Sequence, residues 1–199
     1  MLKIWGRTNS INVQKVLWAC AELGVKYDRV DAGMQYGVVG TEEYKALNPN
    51  SRVPTIEDDG FVLWESNTVV RYLAAKHGAG SLMPASFNTR FDAERWMDWC
   101  TTTLQPTVTP IFWNLIRTPP EKRDLKAVEE AKVQAAAAFA ILDRYLAGKA
   151  FITGSAFNMG DIPIGCFTYR WMALPIERPR LPNLEAWYGR LQSRAGYKQ

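Results

Sequence analysis

Histidine and cysteine are scarce in this chain: His77 is the single histidine among 199 residues, and Cys20, Cys100 and Cys166 are the three cysteines. A lone histidine excludes most metal sites and Ser-His-Asp arrangements, which need an imidazole with partners. His77 also sits just before Gly78, where a helix is expected to end, so it reads as a helix-end residue. The cysteines are odd in number and widely separated, with no CxxC pair, which excludes a disulfide framework and a zinc cluster. Each falls on the apolar face of an expected helix and reads as a core residue. The longest apolar run, Ala135–Leu142, is far short of the ~20 residues that cross a bilayer. The opening MLKIWGR has no hydrophobic signal core, so a cytoplasmic location is the default. Basic runs are missing as well, and a formal net charge of +4 gives no footprint for nucleic acid.

What is present is ordinary globular material, 47% apolar and 22% charged. Lys3–Gly6 reads as a strand, followed by the polar turn Arg7–Ser10 and a helix with Val13, Val16, Leu17 and Cys20 on one face, stopped at Gly24. Lys26–Val30 reads as a second strand, then come a glycine-rich loop at 33–40 and a short helix opening at Thr41. Pro54–Glu57 and Phe61–Leu63 flank Asp58-Asp59-Gly60, a hairpin signal, and a helix from Glu65 to Lys76 closes the segment. The order β-α-β-α-β-β-α is the thioredoxin-like arrangement. Beyond a Gly/Ser/Pro linker at 81–86 the periodicity is wholly helical, with Pro106 and Pro110 expected to bend the first long helix. The expected architecture is a thioredoxin-like α/β domain over 1–80 and an all-helical bundle over 87–199.

Chemistry has three candidate positions. Ser10 lies in the first strand-to-helix turn, where free N–H groups and the helix dipole favour an anion. The turn reads Ser10-Ile11-Asn12-Val13, so dithiol chemistry there is excluded. A hydroxyl and an amide remain, able to donate to a thiolate from elsewhere, and a plain N-cap explains them equally well. In the stretch NPNSRVP at 48–54, a cis Val53–Pro54 bond would leave the Val53 N–H and C=O free to pair with a short extended peptide. Glu65 and Ser66 open a helix with a negative charge for an ammonium group and a hydroxyl for a carboxylate; as an isolated pair they are also common capping residues. Asn158 and Asp161 read as the N-cap and N3 of a further helix, a capping box with a structural role.

Taken together, WGRTNSINVQKV (5–16), NPNSRVPTIEDDG (48–60), LWESNTVVRYLA (63–74), WMDW (96–99), RTPPEKRD (117–124) and NMGDIPIG (158–165) resemble the glutathione transferases across essentially the whole chain. The pattern is closest to bacterial serine- or threonine-type members, since no tyrosine occupies the first turn. The resemblance implies that Ser10 hydrogen-bonds the glutathione sulfur, with Asn12 as a second polar group for the same task. It also implies that Val53, before a cis Pro54, pairs with the cysteinyl part, and that Glu65 and Ser66 bind the γ-glutamyl head group. Arg52 occupies a place where related classes often carry a basic residue near the glycyl carboxylate; the loop 34–40 has no histidine or lysine for that end, so the resemblance assigns no contact there. Glutathione would be a co-substrate, with no tightly bound cofactor and no metal. The partners implied are a small, apolar electrophile and a second copy of the chain in a homodimer, with no nucleic acid and no membrane. Trp113 and Trp171 are candidates to line an electrophile pocket contributed by the helical domain, or else core or dimer residues. A disulfide reductase or peroxidase on the same fold, and a non-catalytic interaction module, are the competing functions.

Overall fold

The computed structural model describes residues 1–198, which form two compact units, 1–86 with 195–198 and 87–194; Gln199 lies outside the described residues. The first unit is a mixed four-stranded sheet in the order β2-β1-β3-β4, with β1 at Leu2–Trp5, β2 at Tyr27–Val30, β3 at Thr55–Asp58 and β4 at Phe61–Trp64. β1 runs parallel to β2, Leu2 facing Tyr27 and Trp5 facing Val30, because helix α1 (Ile11–Leu23) supplies the crossover. β3 lies antiparallel to both β1 and β4. The β3–β4 hairpin closes on two residues, Asp59 and Gly60, at φ 51° and 84°. Two positive φ values in a two-residue loop match the twist of the strands they join, which is why Asp-Gly was a hairpin signal.

α1 is buried on most of its circumference and packs against α3 (Ser66–His77), whose Val69, Val70, Leu73 and Ala74 are buried. A short helix, α2 (Glu42–Leu47), is capped by the Thr41 hydroxyl, which accepts from the Tyr44 N–H at 3.2 Å. The observed elements follow the sequence expectation to within a residue or two. The chain terminus departs from it. Residues 195–198 were expected to belong to the helical domain, but the turn Gly196–Lys198 packs on α1, and Tyr197 meets the Trp18 ring edge-on at 5.3 Å. Trp18 is 6% exposed in the folded chain, and a periodicity that reads one helix at a time carries no signal for that contact.

The second unit is all helical: α4 (Phe87–Trp99), α5 (Gln105–Phe112), α6 (Leu125–Leu146), α7 (Asp161–Ala173) and α8 (Pro182–Gln192). α6 buries Val128, Ala131, Ala135, Phe139, Leu142 and Leu146, a 3–4 spacing along one face. Each large apolar side chain removed from water contributes about 1.5–3 kcal/mol. The prolines at 106 and 110 do not break the rod. It widens instead into π-helical turns at Cys100–Leu104 and Trp113–Arg117, on either side of α5. Wide turns accommodate a missing N–H without ending the helix. Trp171 lies in the core with 1% of its surface exposed, stacked on Phe139 at 5.0 Å, and so packs the second unit; it also edges a small cavity with Arg178 and Leu181. Trp113, 51% exposed, is uncommitted.

Among the described residues no helix is long and apolar enough to cross a membrane, and no group of histidine, cysteine and acidic residues could hold a metal. All three cysteines are buried and none is in a disulfide. Burial pushes the Cys20 thiol up to about 12, so it stays protonated and inert.

Candidate functional site

Strand register brings the three candidate positions to one end of the sheet. Trp5, the last residue of β1, pairs with Thr55, the first of β3, and Thr55 pairs in turn with Trp64, the last of β4. The segments that continue beyond these residues therefore leave from neighbouring points. They are the turn to Ser10, the Val53–Pro54 bond, and Glu65–Ser66.

Ser10 occupies the N-cap position of α1 with extended backbone (φ −90°, ψ 122°), yet its side chain makes no capping bond. Its N–H is satisfied by the Arg7 carbonyl at 3.2 Å, leaving the hydroxyl uncommitted. Ser10 is 8% exposed, so the unused hydroxyl is largely screened from water. Asn12 stands in the first turn of α1 with a buried Oδ1 that has no hydrogen-bond partner. The first turn of α1 carries no acidic residue, and neither does that of α3, whereas α2 has Glu42 and Glu43. The N-terminus of α1 thus keeps its partial positive charge uncompensated, while α3 carries Glu65 at its N-cap.

The peptide bond Val53–Pro54 is cis. A clamp that the sequence did not disclose holds both sides of it. The Tyr44 hydroxyl and the Asn48 amide donate to the Arg52 carbonyl at 2.7 and 3.0 Å. The same two groups meet the Thr55 hydroxyl at 2.8 and 3.0 Å. The Asn48 side-chain Oδ1 accepts from the Asn50 N–H at 3.0 Å, forming the local turn that Asn-Pro-Asn favours. The signal in the sequence was that turn chemistry; Tyr44, on another element, gave none. Between the clamped residues, the N–H and C=O of Val53 have no partner among the described residues. Arg52 projects its side chain to solvent.

Glu65 precedes α3 at φ 70°, ψ 104°, a conformation that costs a non-glycine residue roughly 1–3 kcal/mol and concentrates at functional sites. Ser66 is the first helical residue and does not cap, contrary to the capping reading of the sequence. Its Oγ instead accepts from the Lys15 ammonium at 3.4 Å, and the neighbouring Asn67 Oδ1 accepts from it at 3.2 Å. Lys15 escaped the sequence reading, although a helix apolar on nearly all sides had to bury any lysine it carried. A second cation, Arg7, lies beside Val53. A Cβ at Gly33 would lie 2.8 Å from Arg7 Nη1 and 3.5 Å from the Val53 methyls, and its φ of 84° is the conformation that favours glycine there.

In the second unit, the Asn158–Asp161 box is made, with a shifted contact. Asn158 Oδ1 accepts from the Gly160 N–H at 3.0 Å, and the Asn158 N–H donates to Asp161 Oδ2 at 3.0 Å. Asp161 reaches further than a box requires, accepting from the Ile152 N–H at 2.9 Å and the Trp187 indole N–H at 2.8 Å. Burial pushes its carboxyl up to about 6, against those three hydrogen bonds and the Arg194 charge, which pull it down.

Fold and site define a two-domain protein of the thioredoxin-like class whose first turn carries a hydroxyl and an amide in place of a dithiol. Residues 1–75 match the family described as "Glutathione S-transferase, N-terminal domain", and residues 126–190 match "Glutathione S-transferase, C-terminal domain". Glutathione S-transferase GstB of Escherichia coli K12 is 40% identical over 201 residues, covering 100% of this chain and 97% of that protein. A theta class glutathione S-transferase from Xanthomonas axonopodis pv. citri, crystallised with glutathione bound, superposes with a TM-score of 0.96 at 45% identity over 99% of this chain and 95% of the other. Glutathione transferase F7 of Populus trichocarpa, 20% identical with a TM-score of 0.90 over 100% of this chain and 96% of the other, shares the fold. The chain belongs to the glutathione S-transferase family.

Proposed function

We propose that the protein binds reduced glutathione at this end of the sheet, holds its sulfur as a thiolate, and transfers it to a small apolar electrophile. The observation that carries the reading is a set of buried or backbone polar groups at one place with hydrogen-bonding capacity unused: the Ser10 hydroxyl, the Val53 N–H and C=O, and the N-terminus of α3. Native structures satisfy such groups unless a ligand does so. Val53 pairs with the cysteinyl residue as a one-residue strand addition. Ser66 and the α3 N-terminus take the γ-glutamyl carboxylate, Glu65 takes the ammonium, and Arg52 lies toward the glycyl end. Ser10 donates to the sulfur, and Asn12 is the second donor.

A free thiol titrates near pKa ~8.5, so a few per cent is ionised at neutral pH. Lowering that value by about two units takes roughly 2.7 kcal/mol and ionises most of the bound ligand. The thiol proton leaves to solvent. The thiolate pair then forms the C–S bond, and the displaced group departs with its own electron pair. Glutathione is consumed as a co-substrate. The exposed Phe87 and Phe91 rings, 4.7 Å apart on α4, support a homodimer through that helix, and sedimentation would show a mass near 45 kDa, twice the 22.5 kDa chain.

The deciding experiment is calorimetric titration with glutathione, followed by turnover on an aryl halide, a hydroperoxide and a mixed disulfide. Saturable binding with preferred turnover of the halide is expected. Preferred turnover of the disulfide or hydroperoxide would reassign the reaction, and failure to bind glutathione would make the chain a non-catalytic module.

A further inference from the structure

Lys15 is the most deeply buried charged side chain of the first unit, 1% exposed in the middle of α1. Burying a lysine is costly, and an apolar side chain of similar volume would serve packing better. Its ammonium reaches across to the first turn of α3, 3.4 Å from Ser66 Oγ and 3.2 Å from Asn67 Oδ1.

The direction of the first hydrogen bond has a chemical consequence. An ammonium is a donor with no lone pair, so Ser66 Oγ must be the acceptor. One lone pair of the hydroxyl is thereby occupied, and its own hydrogen is turned away from Lys15. That hydrogen has no acceptor among the described residues. A hydroxyl that accepts from a cation is polarised into a stronger donor, because hydrogen bonds in a chain reinforce one another where the dielectric is low. Ser66 also opens α3, whose free first-turn N–H groups favour an anion as the group that completes the chain, with Glu65 at the N-cap left for a cation.

We infer that Lys15 is a positioning residue for glutathione: it sets the Ser66 hydroxyl as an outward donor to the γ-glutamyl carboxylate and so gives the site its selectivity for that group. The inference rests on the assignment of Ser66 to that carboxylate. Lys15 touches no ligand and acts through Ser66, in a relay from Nζ through Oγ to the carboxylate.

The test compares the affinities of glutathione and of 4-aminobutyryl-cysteinylglycine, which lacks only that carboxylate, by calorimetry on the intact protein. Lys15→Met is expected to weaken glutathione roughly tenfold, the size of a lost charge-assisted hydrogen bond, and to leave the analogue unchanged. In kinetics the loss falls on KM for glutathione more than on kcat. Lys15→Arg, which keeps a cationic donor, is expected to restore most of the discrimination. Lys15→Gln covers the case in which methionine does not fold, and is expected to lose affinity for glutathione selectively. In combination with Ser66→Ala, Lys15→Met is expected to add nothing, since both variants break one relay. Equal weakening of both ligands, or losses that add in the double variant, would overturn the role of Lys15 while leaving Ser66 in place. A Ser66→Ala variant that binds both ligands as tightly as the parent would overturn the Ser66 assignment itself.

Discussion

Two helix starts, that of α1 at Ser10 and that of α7 at Asn158–Asp161, look alike in sequence and differ in how their polar groups are used. At α7 every oxygen of interest is engaged: the Asp161 carboxylate accepts from three N–H groups and Asn158 Oδ1 from a fourth. At α1 the Ser10 hydroxyl makes no capping bond and Asn12 Oδ1 has no partner. The same residue types therefore serve stability in one place and are available to a ligand in the other. Used capacity holds a fold together; an unused donor such as the Ser10 hydroxyl, beside the α1 N-terminus, is what an anionic ligand requires, whereas Asn12 can serve it only through its Nδ2.

The sharpest way to break this contrast is at Asp161. Asp161→Ala is expected to cost roughly 3–5 kcal/mol in urea unfolding, because three buried donors lose their acceptor. The affinity of the folded variant for glutathione should not change; a weakened site would mean that the two helix starts are not independent. The carboxyl also carries a pH signature. Its folded value of about 6 lies above the ordinary 3.8, so its contribution is fully present below about pH 4 and is lost as pH rises through 6. Asp58 in the first unit is opposite in sign. Burial would raise its carboxyl, but hydrogen bonds from Lys76 at 2.6 Å and Tyr72 at 2.9 Å outweigh that and bring it below the usual range. Its contribution is present above the ordinary value and lost as pH falls through the lowered one. Unfolding of Asp161→Asn and Asp58→Asn against the parent between pH 3 and 7 should show differences that run in opposite directions.

Ser10→Ala comes next in size. It is expected to reduce turnover at pH 7 by roughly 20-fold, the loss of thiolate when the sulfur returns toward pKa ~8.5, with glutathione affinity within a few-fold of the parent. An unchanged rate would transfer the donor's task to Asn12. Smaller again is Asn48→Ala, which releases the Arg52 carbonyl and the Thr55 hydroxyl. A stability loss of about 1–2 kcal/mol is expected, together with a several-fold weaker glutathione affinity. Loss of stability with full affinity would show that the clamp holds the fold and not Val53. The smallest effect belongs to the cysteines. With all three buried, thiol reagents should label the native protein at a negligible rate and leave turnover unchanged until denaturant is added.

Residue order alone determined a good deal of this protein. Period-two and period-3.6 patterning located the strands and most helices, and Asp59-Gly60 specified its hairpin, because these depend on neighbours in the chain. The all-helical character of the second half was equally local. The resemblance carried by NPNSRVP and WESN pointed to glutathione, although each motif by itself was an ordinary turn or cap.

Tertiary structure decided which groups are spent. Whether the Ser10 hydroxyl caps its own helix depends on the backbone the sheet imposes on the turn, and Ser66 accepts from Lys15 only because α1 and α3 pack together. The Tyr44–Asn48–Thr55 clamp joins a helix to a strand across a loop and Asp161 reaches Trp187 on another helix, and pattern rules carry no information about pairs on different elements. Ser10 and Asp161 were both legible as helix-start residues; only the folded chain shows that the first makes no capping bond and the second accepts three.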